Sequence, residues 1–177
     1  MSGRKILLCV TGSIAAYKAA ELVRLFVKRG DDVHVVMTEH ARAFVTPLTF
    51  QTLSRNEVEC DLFEDPRDWK PGHVSLAASA DLVVVAPATA NILAKMAHGI
   101  ADDLLSSTLL ATKAPVVVAP AMNDGMWENP ATQANVAALA ARGVRIVSPG
   151  VGDLACGTAG AGRMAEPAEI LSACRIS

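Results

Sequence analysis

Residues 5–11 (KILLCVT) form an unbroken apolar run that ends at Gly12, the pattern of a strand buried on both faces. Across residues 14–28 the apolar positions change their spacing. Ala16, Ala19, Leu22, Val23 and Phe26 recur at intervals that predict a helix, with Ser13 as its cap and Arg29-Gly30 as its stop. Residues 32–38 (DVHVVMT) alternate and predict a second strand. The runs 81–87 (DLVVVAP) and 115–120 (PVVVAP) predict central strands, and 144–147 a shorter one. Helical spacing returns at 89–97, 102–111 and 131–142.

Strand and helix in alternation predict an α/β fold, a single doubly wound parallel sheet with helices on both faces (Rossmann or flavodoxin-like), in one domain spanning 1–177. Two stretches break the rhythm. Residues 61–72 carry two prolines and little periodicity and are expected to be a surface loop; residues 148–163 are glycine-rich and are read as irregular backbone. In open parallel sheets ligands bind beyond the carboxyl ends of the strands. Four such ends, at Thr11-Gly12-Ser13, Met37-Thr38-Glu39, Ala86 to Asn91 and Ala119 to Asn123, all gather small and polar residues.

Composition narrows this picture. The chain is 51% hydrophobic but only 4% aromatic, so the core is aliphatic. A net charge of -2 offers no electrostatic reason for a nucleic acid or anionic membrane partner. The first apolar run is too short for a membrane span and no signal-peptide pattern follows, so a cytoplasmic protein is expected. Cys9, Cys60, Cys156 and Cys174 lack zinc-ligand spacing and read as free thiols. Asp102-Asp103 sits at a helix start, where cap and dipole roles suffice, and no metal is assigned.

The loop Gly12-Ser13-Ile14 joins a strand to a helix N-terminus, which favours a phosphate. It lacks the GxGxxG spacing of a dinucleotide site, which favours a mononucleotide. Glu39 stands near the place of an acidic ribose ligand and keeps NAD open; a plain turn without ligand also stays open.

Three segments are more specific: Pro87-Ala88-Thr89-Ala90-Asn91, Pro120-Ala121-Met122-Asn123-Asp124-Gly125-Met126-Trp127, and Ala155-Cys156-Gly157-Thr158-Ala159-Gly160-Ala161-Gly162-Arg163-Met164. With Gly12 to Lys18 and Gly72-His73, they resemble the homo-oligomeric flavin-containing cysteine decarboxylases along nearly the whole chain. The resemblance implies FMN, its phosphate at Gly12, Ser13 and Ile14 and near Thr38, with Ala88, Thr89, Ala90, Asn91 and Ala121 along the ring and ribitol. It implies His73, Asn123 and Cys156 as catalytic residues, and Met126, Gly157, Arg163 and Met164 beside Asn123 as substrate-binding residues. It further implies a site formed between subunits of a homotrimer, with trimers able to form dodecamers. The branch of the family most similar in pattern acts on phosphopantothenoylcysteine in coenzyme A biosynthesis, where a synthetase, often fused, supplies the substrate.

That chemistry needs an electron sink, because loss of CO2 from an ordinary cysteinyl carboxylate leaves an unstabilised carbanion. A flavin-made thioaldehyde allows CO2 to depart and leaves an enethiolate. Asn123 suits the carboxylate, since an amide binds it without a full countercharge that would favour the ground state. His73 titrates near neutrality and can take the thiol proton, and Cys156 can protonate the enethiol product so that a saturated thiol forms. Plainer roles exist for each: a loop histidine, a cap for Asn123, a small loop residue for Cys156, and a core or subunit contact for Met126 and Trp127. Rival functions are a peptidyl-cysteine decarboxylase that stops at the enethiol, a flavin prenyltransferase, and a non-catalytic regulatory flavoprotein.

Overall fold

The computed structural model describes residues 3–61, 72–153, 157 and 159–175. Strands β1 (Lys5–Val10), β2 (Asp32–Met37), β3 (Val58–Glu59), β4 (Leu82–Ala88), β5 (Val116–Pro120) and β6 (Arg145–Ile146) form one parallel sheet in the order β3-β2-β1-β4-β5-β6. The helices are α1 (Ala16–Arg29), α2 (Glu39–Arg42), α3 (Pro47–Ser54), α4 (Gly72–Ser79), α5 (Ala90–His98), α6 (Leu104–Ala111), α7 (Asp124–Glu128), α8 (Pro130–Ala141) and α9 (Pro167–Ala173).

The continuous apolar runs are explained by two cores that share the sheet. Successive side chains of a strand point to opposite faces. Ile6, Leu8 and Val10 accordingly pack with Leu22 and Phe26 of α1, Phe50 of α3 and Ile170 of α9. Leu7 and Cys9 pack on the other face with Ile92 and Leu93 of α5, Leu104 and Leu105 of α6, and Leu139 of α8. In β4, Leu82, Val84 and Ala86 serve the first core and Val83 and Val85 the second. The register to β5 then shifts between Val85 and Ala88, where the Ala86-Pro87 peptide is cis, and Ala88 falls into the second core with the odd-numbered positions.

Several boundaries differ from those the sequence predicts. Ser13 does not cap α1; the N-cap is Ala15, without a side-chain bond, while Ser13 Oγ accepts from Ala15 N at 3.3 Å in a turn of its own. Residues 148–163 are not wholly irregular, because β7 (Gly150–Asp153) and β8 (Ala159–Arg163) pair as an antiparallel hairpin. Gly72, read as the end of a loop, opens α4 instead, and residues 62–71 of that loop lie outside the described residues. Cys174, just past α9, is fully buried, and its carbonyl accepts from Arg4 Nη2 at 2.8 Å. No helix among the described residues is long and apolar enough to cross a membrane.

Candidate active site

The strand order reverses its direction of growth between β1 and β4, and a crevice is expected beyond their carboxyl ends. Thr11, just past β1, ties the two strands together there. Its buried Oγ1 donates to Pro87 O at 2.7 Å and accepts from Thr89 N at 3.1 Å. A cavity of about 860 Å3 opens above this junction, bounded by Gly12, Thr38, Thr89, Ala90, Asn91 and Met126. Pockets of several hundred cubic ångströms take cofactor-sized ligands.

Each wall has a local reason for its shape. Thr89 caps α5 by accepting from Ile92 N, and Thr38 caps α2 by accepting from Ala41 N, so both hydroxyls are held where strand passes into helix. Gly12 is required by a close approach, since a Cβ there would lie 2.5 Å from His40 Cβ. The first turn of α1 has no side-chain cap and no acidic residue, which leaves its positive end suited to an anion. An uncapped helix start, a glycine cradle and a roomy crevice fit the phosphate and planar ring of FMN.

Of the other predicted cofactor positions, Ser13 is half-buried at the loop and Ile14 is exposed. Ala88 and Ala121 are buried behind the cavity wall, joined by a bond of 2.9 Å from Ala121 N to Ala88 O. They shape the wall from beneath.

Asn123 follows β5 and caps α7, its Oδ1 accepting from Gly125 N at 2.9 Å. The same short helix carries Met126, half-exposed, to the cavity. Strand β8 lies directly against this segment: Met122 N donates to Gly162 O at 3.0 Å. Gly162 has φ 144°, and a Cβ there would run into the Met122 carbonyl oxygen, so a side chain has no room. Arg163 is exposed at the end of β8 and pairs with Glu166 at 3.2 Å, whereas Met164 is buried in the first core and supports the site from within. Gly157 is exposed at φ 84°. The side chain of His73, whose backbone lies in the first turn of α4, and the whole of Cys156 lie outside the described residues.

Sequence reasoning did not single out Lys95 as part of the cavity. Its ammonium lies 2.6 Å from Asp102 and 3.3 Å from Asp103, and all three line the wall between α5 and α6. The hydrogen bond to Asp102 holds Lys95 protonated above its ordinary range, and the same bond lowers the Asp102 carboxyl. Asp103 also completes a capping box with Ser106 on α6. Among the described residues, no group of three His, Cys, Asp or Glu side chains is placed to hold a metal.

A family model described as Flavoprotein matches residues 1–175. The coenzyme A biosynthesis bifunctional protein CoaBC of Vibrio parahaemolyticus is 49% identical over 174 residues, covering 98% of this chain and 44% of that protein. Its counterpart from Bacillus subtilis is 49% identical over 171 residues, covering 97% of this chain and 42% of that protein. The chain therefore spans less than half the length of these relatives. Among solved structures, a PPC decarboxylase variant complexed with pantothenoylaminoethenethiol is similar with a TM-score of 0.87 and 33% identity, covering 98% and 97% of the two chains. The FMN-dependent cysteine decarboxylase SpaF is similar with a TM-score of 0.82 and 35% identity, covering 97% and 98%.

Proposed function

The chain belongs to the Flavoprotein family, and from that premise we propose that it is an FMN-dependent decarboxylase acting on phosphopantothenoylcysteine in coenzyme A biosynthesis. The observation that carries this reading is that the segment bearing Asn123 rests on β8 through Met122 and reaches, through Met126, the cavity at the β1/β4 crevice. The relatives and neighbours quoted above point to the same chemistry. FMN bound in this cavity supplies a two-electron oxidant that makes the thiol-bearing carbon able to accept the electron pair left by CO2.

The chain's own residues then act on the substrate. The first turn of α1 holds the cofactor phosphate through backbone N–H groups, with Ser13 and Thr38 beside it. Asn123 holds the substrate carboxylate with an amide, and release of neutral CO2 costs no broken salt bridge. His73 accepts the thiol proton, and Cys156 protonates the enethiol product so that the two electrons taken up by the flavin would return to it and give the saturated thiol. Met126 and Arg163 flank the substrate beside Gly157, and Met164 seats that flank from the core.

Further elements of the proposal are a homotrimer, able to build a dodecamer, whose subunits meet at the site; a synthetase, fused or separate, that makes the substrate; and a reaction in the cytoplasm.

The test is to incubate purified, flavin-loaded protein with phosphopantothenoylcysteine and follow CO2 and product. The expected outcome is CO2 and a saturated thiol, with Cys156→Ser stalling at an enethiol that absorbs in the near ultraviolet. A protein that cannot be reconstituted with FMN, or one inert to this substrate, overturns the proposal. A persistent enethiol from the unaltered protein supports a peptidyl-cysteine decarboxylase instead.

A further inference from the structure

Lys18 stands on the first turn of α1, a few residues beyond Gly12 at the cavity, yet its side chain is only 7% exposed. Its Nζ lies 2.8 Å from Glu166 Oε1 and donates to Met164 O at 3.4 Å. The same carboxylate oxygen accepts from Arg163 Nη2 at 3.2 Å. A buried ammonium is tolerated only where opposite charge and acceptors meet it, and removing one partner leaves an uncompensated charge. Lys18, Glu166 and Arg163 are therefore one unit, and Lys18 is its buried end. The bond to Lys18 also draws the Glu166 carboxyl below its ordinary range.

The unit grips β8 at its last residue. One residue earlier, Gly162 receives the Met122 N–H and lies against the Met122 carbonyl. Two residues before that, Gly160 lies against Asp124, and a Cβ on it would stand 2.7 Å from Asp124 Cβ. Strand β8 is thus the surface on which residues 122–124 rest. Through the Met122 N–H bond to Gly162 O and the close approach of Gly160 to Asp124, a shift of β8 along its own axis would carry residues 122–124 with it.

The geometry points to Lys18 as a positioning residue for Asn123, acting through Glu166 and Arg163 to hold β8 in the register that places residues 122–124. The role of Asn123 rests on the proposed function, and the mechanical link on the contacts of Lys18, Glu166 and Arg163 and of Gly160 and Gly162. It joins the turn that meets the cofactor phosphate to the residue that meets the substrate carboxylate.

The test compares Lys18→Met and Lys18→Arg in the full, flavin-loaded chain, reading native-state amide exchange alongside steady-state kinetics. Lys18→Met is expected to exchange its Met122 and β8 amides about tenfold faster, while the β1 and β4 amides keep their protection. Its flavin absorbance should be retained and kcat for decarboxylation should fall with little change in KM; Lys18→Arg should restore both readouts. A role confined to anchoring α9 would lower the melting temperature and leave Met122 exchange and kcat as in the unaltered protein, which overturns the inference. Should Lys18→Met fail to fold, Glu166→Gln breaks the same link from its half-exposed end and is judged by the same amide. If the unaltered protein does not decarboxylate phosphopantothenoylcysteine, the proposed function fails while Met122 exchange still decides the link.

Discussion

Asn123 has one duty in the fold and, under the proposed function, a second at the substrate, and the two separate under substitution. As the cap of α7 it offers one oxygen to Gly125 N. An aspartate caps equally well, so Asn123→Asp is expected to change stability by no more than about 0.5 kcal/mol. If Asn123 meets the substrate as proposed, the same change sets carboxylate against carboxylate, and CO2 release should drop below detection. Retained turnover, measured beside a thermal melt, would remove Asn123 from the reaction. The sequence marks Gly12, Asn123 and Met126 because each sits in a short string at a strand end, and for Asn123 and Met126 the expected role comes from the resemblance those strings carry. Lys95 is harder to see. Its partners Asp102 and Asp103 are seven and eight residues away, across the turn that separates α5 from α6, and no fixed spacing announces a pair closed by a turn.

Helix α6 shows how much rests on one cap. Asp103 accepts from Ser106 N at 2.7 Å while its own N–H reaches Ser106 Oγ at 3.1 Å. Asp103→Ala is expected to cost about 1 kcal/mol, seen as a lower urea midpoint at unchanged slope. It also leaves Lys95 with Asp102 alone at the cavity wall. The central strands β1, β4 and β5 were legible as apolar runs because both of their faces are buried. The β7–β8 hairpin was not, since Gly-Val-Gly-Asp and Ala-Gly-Ala-Gly-Arg carry almost no strand preference; the glycines of β8 let that strand lie close on residues 122–124. Helix α9 is seven residues long, too short for periodicity to show. Its start was nonetheless written in Glu166-Pro167 with Glu169 closing the capping box.

Over the whole molecule, buried thiols give stability a pH limit on the alkaline side. Burial raises the Cys174 thiol to about 11 from 9.0, and burial raises Cys9 further still. Between those two values the unfolded chain loses the Cys174 proton and the folded chain keeps it. Stability is therefore complete below about pH 9 and declines as pH rises toward 11. Replacing Cys174 with Ala should flatten that decline in denaturant titrations run from pH 8 to 11; an unchanged slope would show that other groups cause it. The fold class, the sheet's two-sided cover and the ligand-bearing edge could all be read from the alternation of elements. The pairing of β1 with both β2 and β4 could not, because apolar runs of similar length carry no label for their neighbours.

The register shift in β4 has a consequence for how this gene can change in length. After Val85 the strand exchanges odd for even positions, and Ala88 enters the second core. Deleting a single codon among those for 86–88 would undo that exchange, turn Ala88 toward the opposite layer and draw Thr89 away from its bond with Thr11. A deletion at the exposed turn around residues 99–101 would disturb no such phase. Families of this chain should therefore vary in length at the second place and keep a constant count at the first.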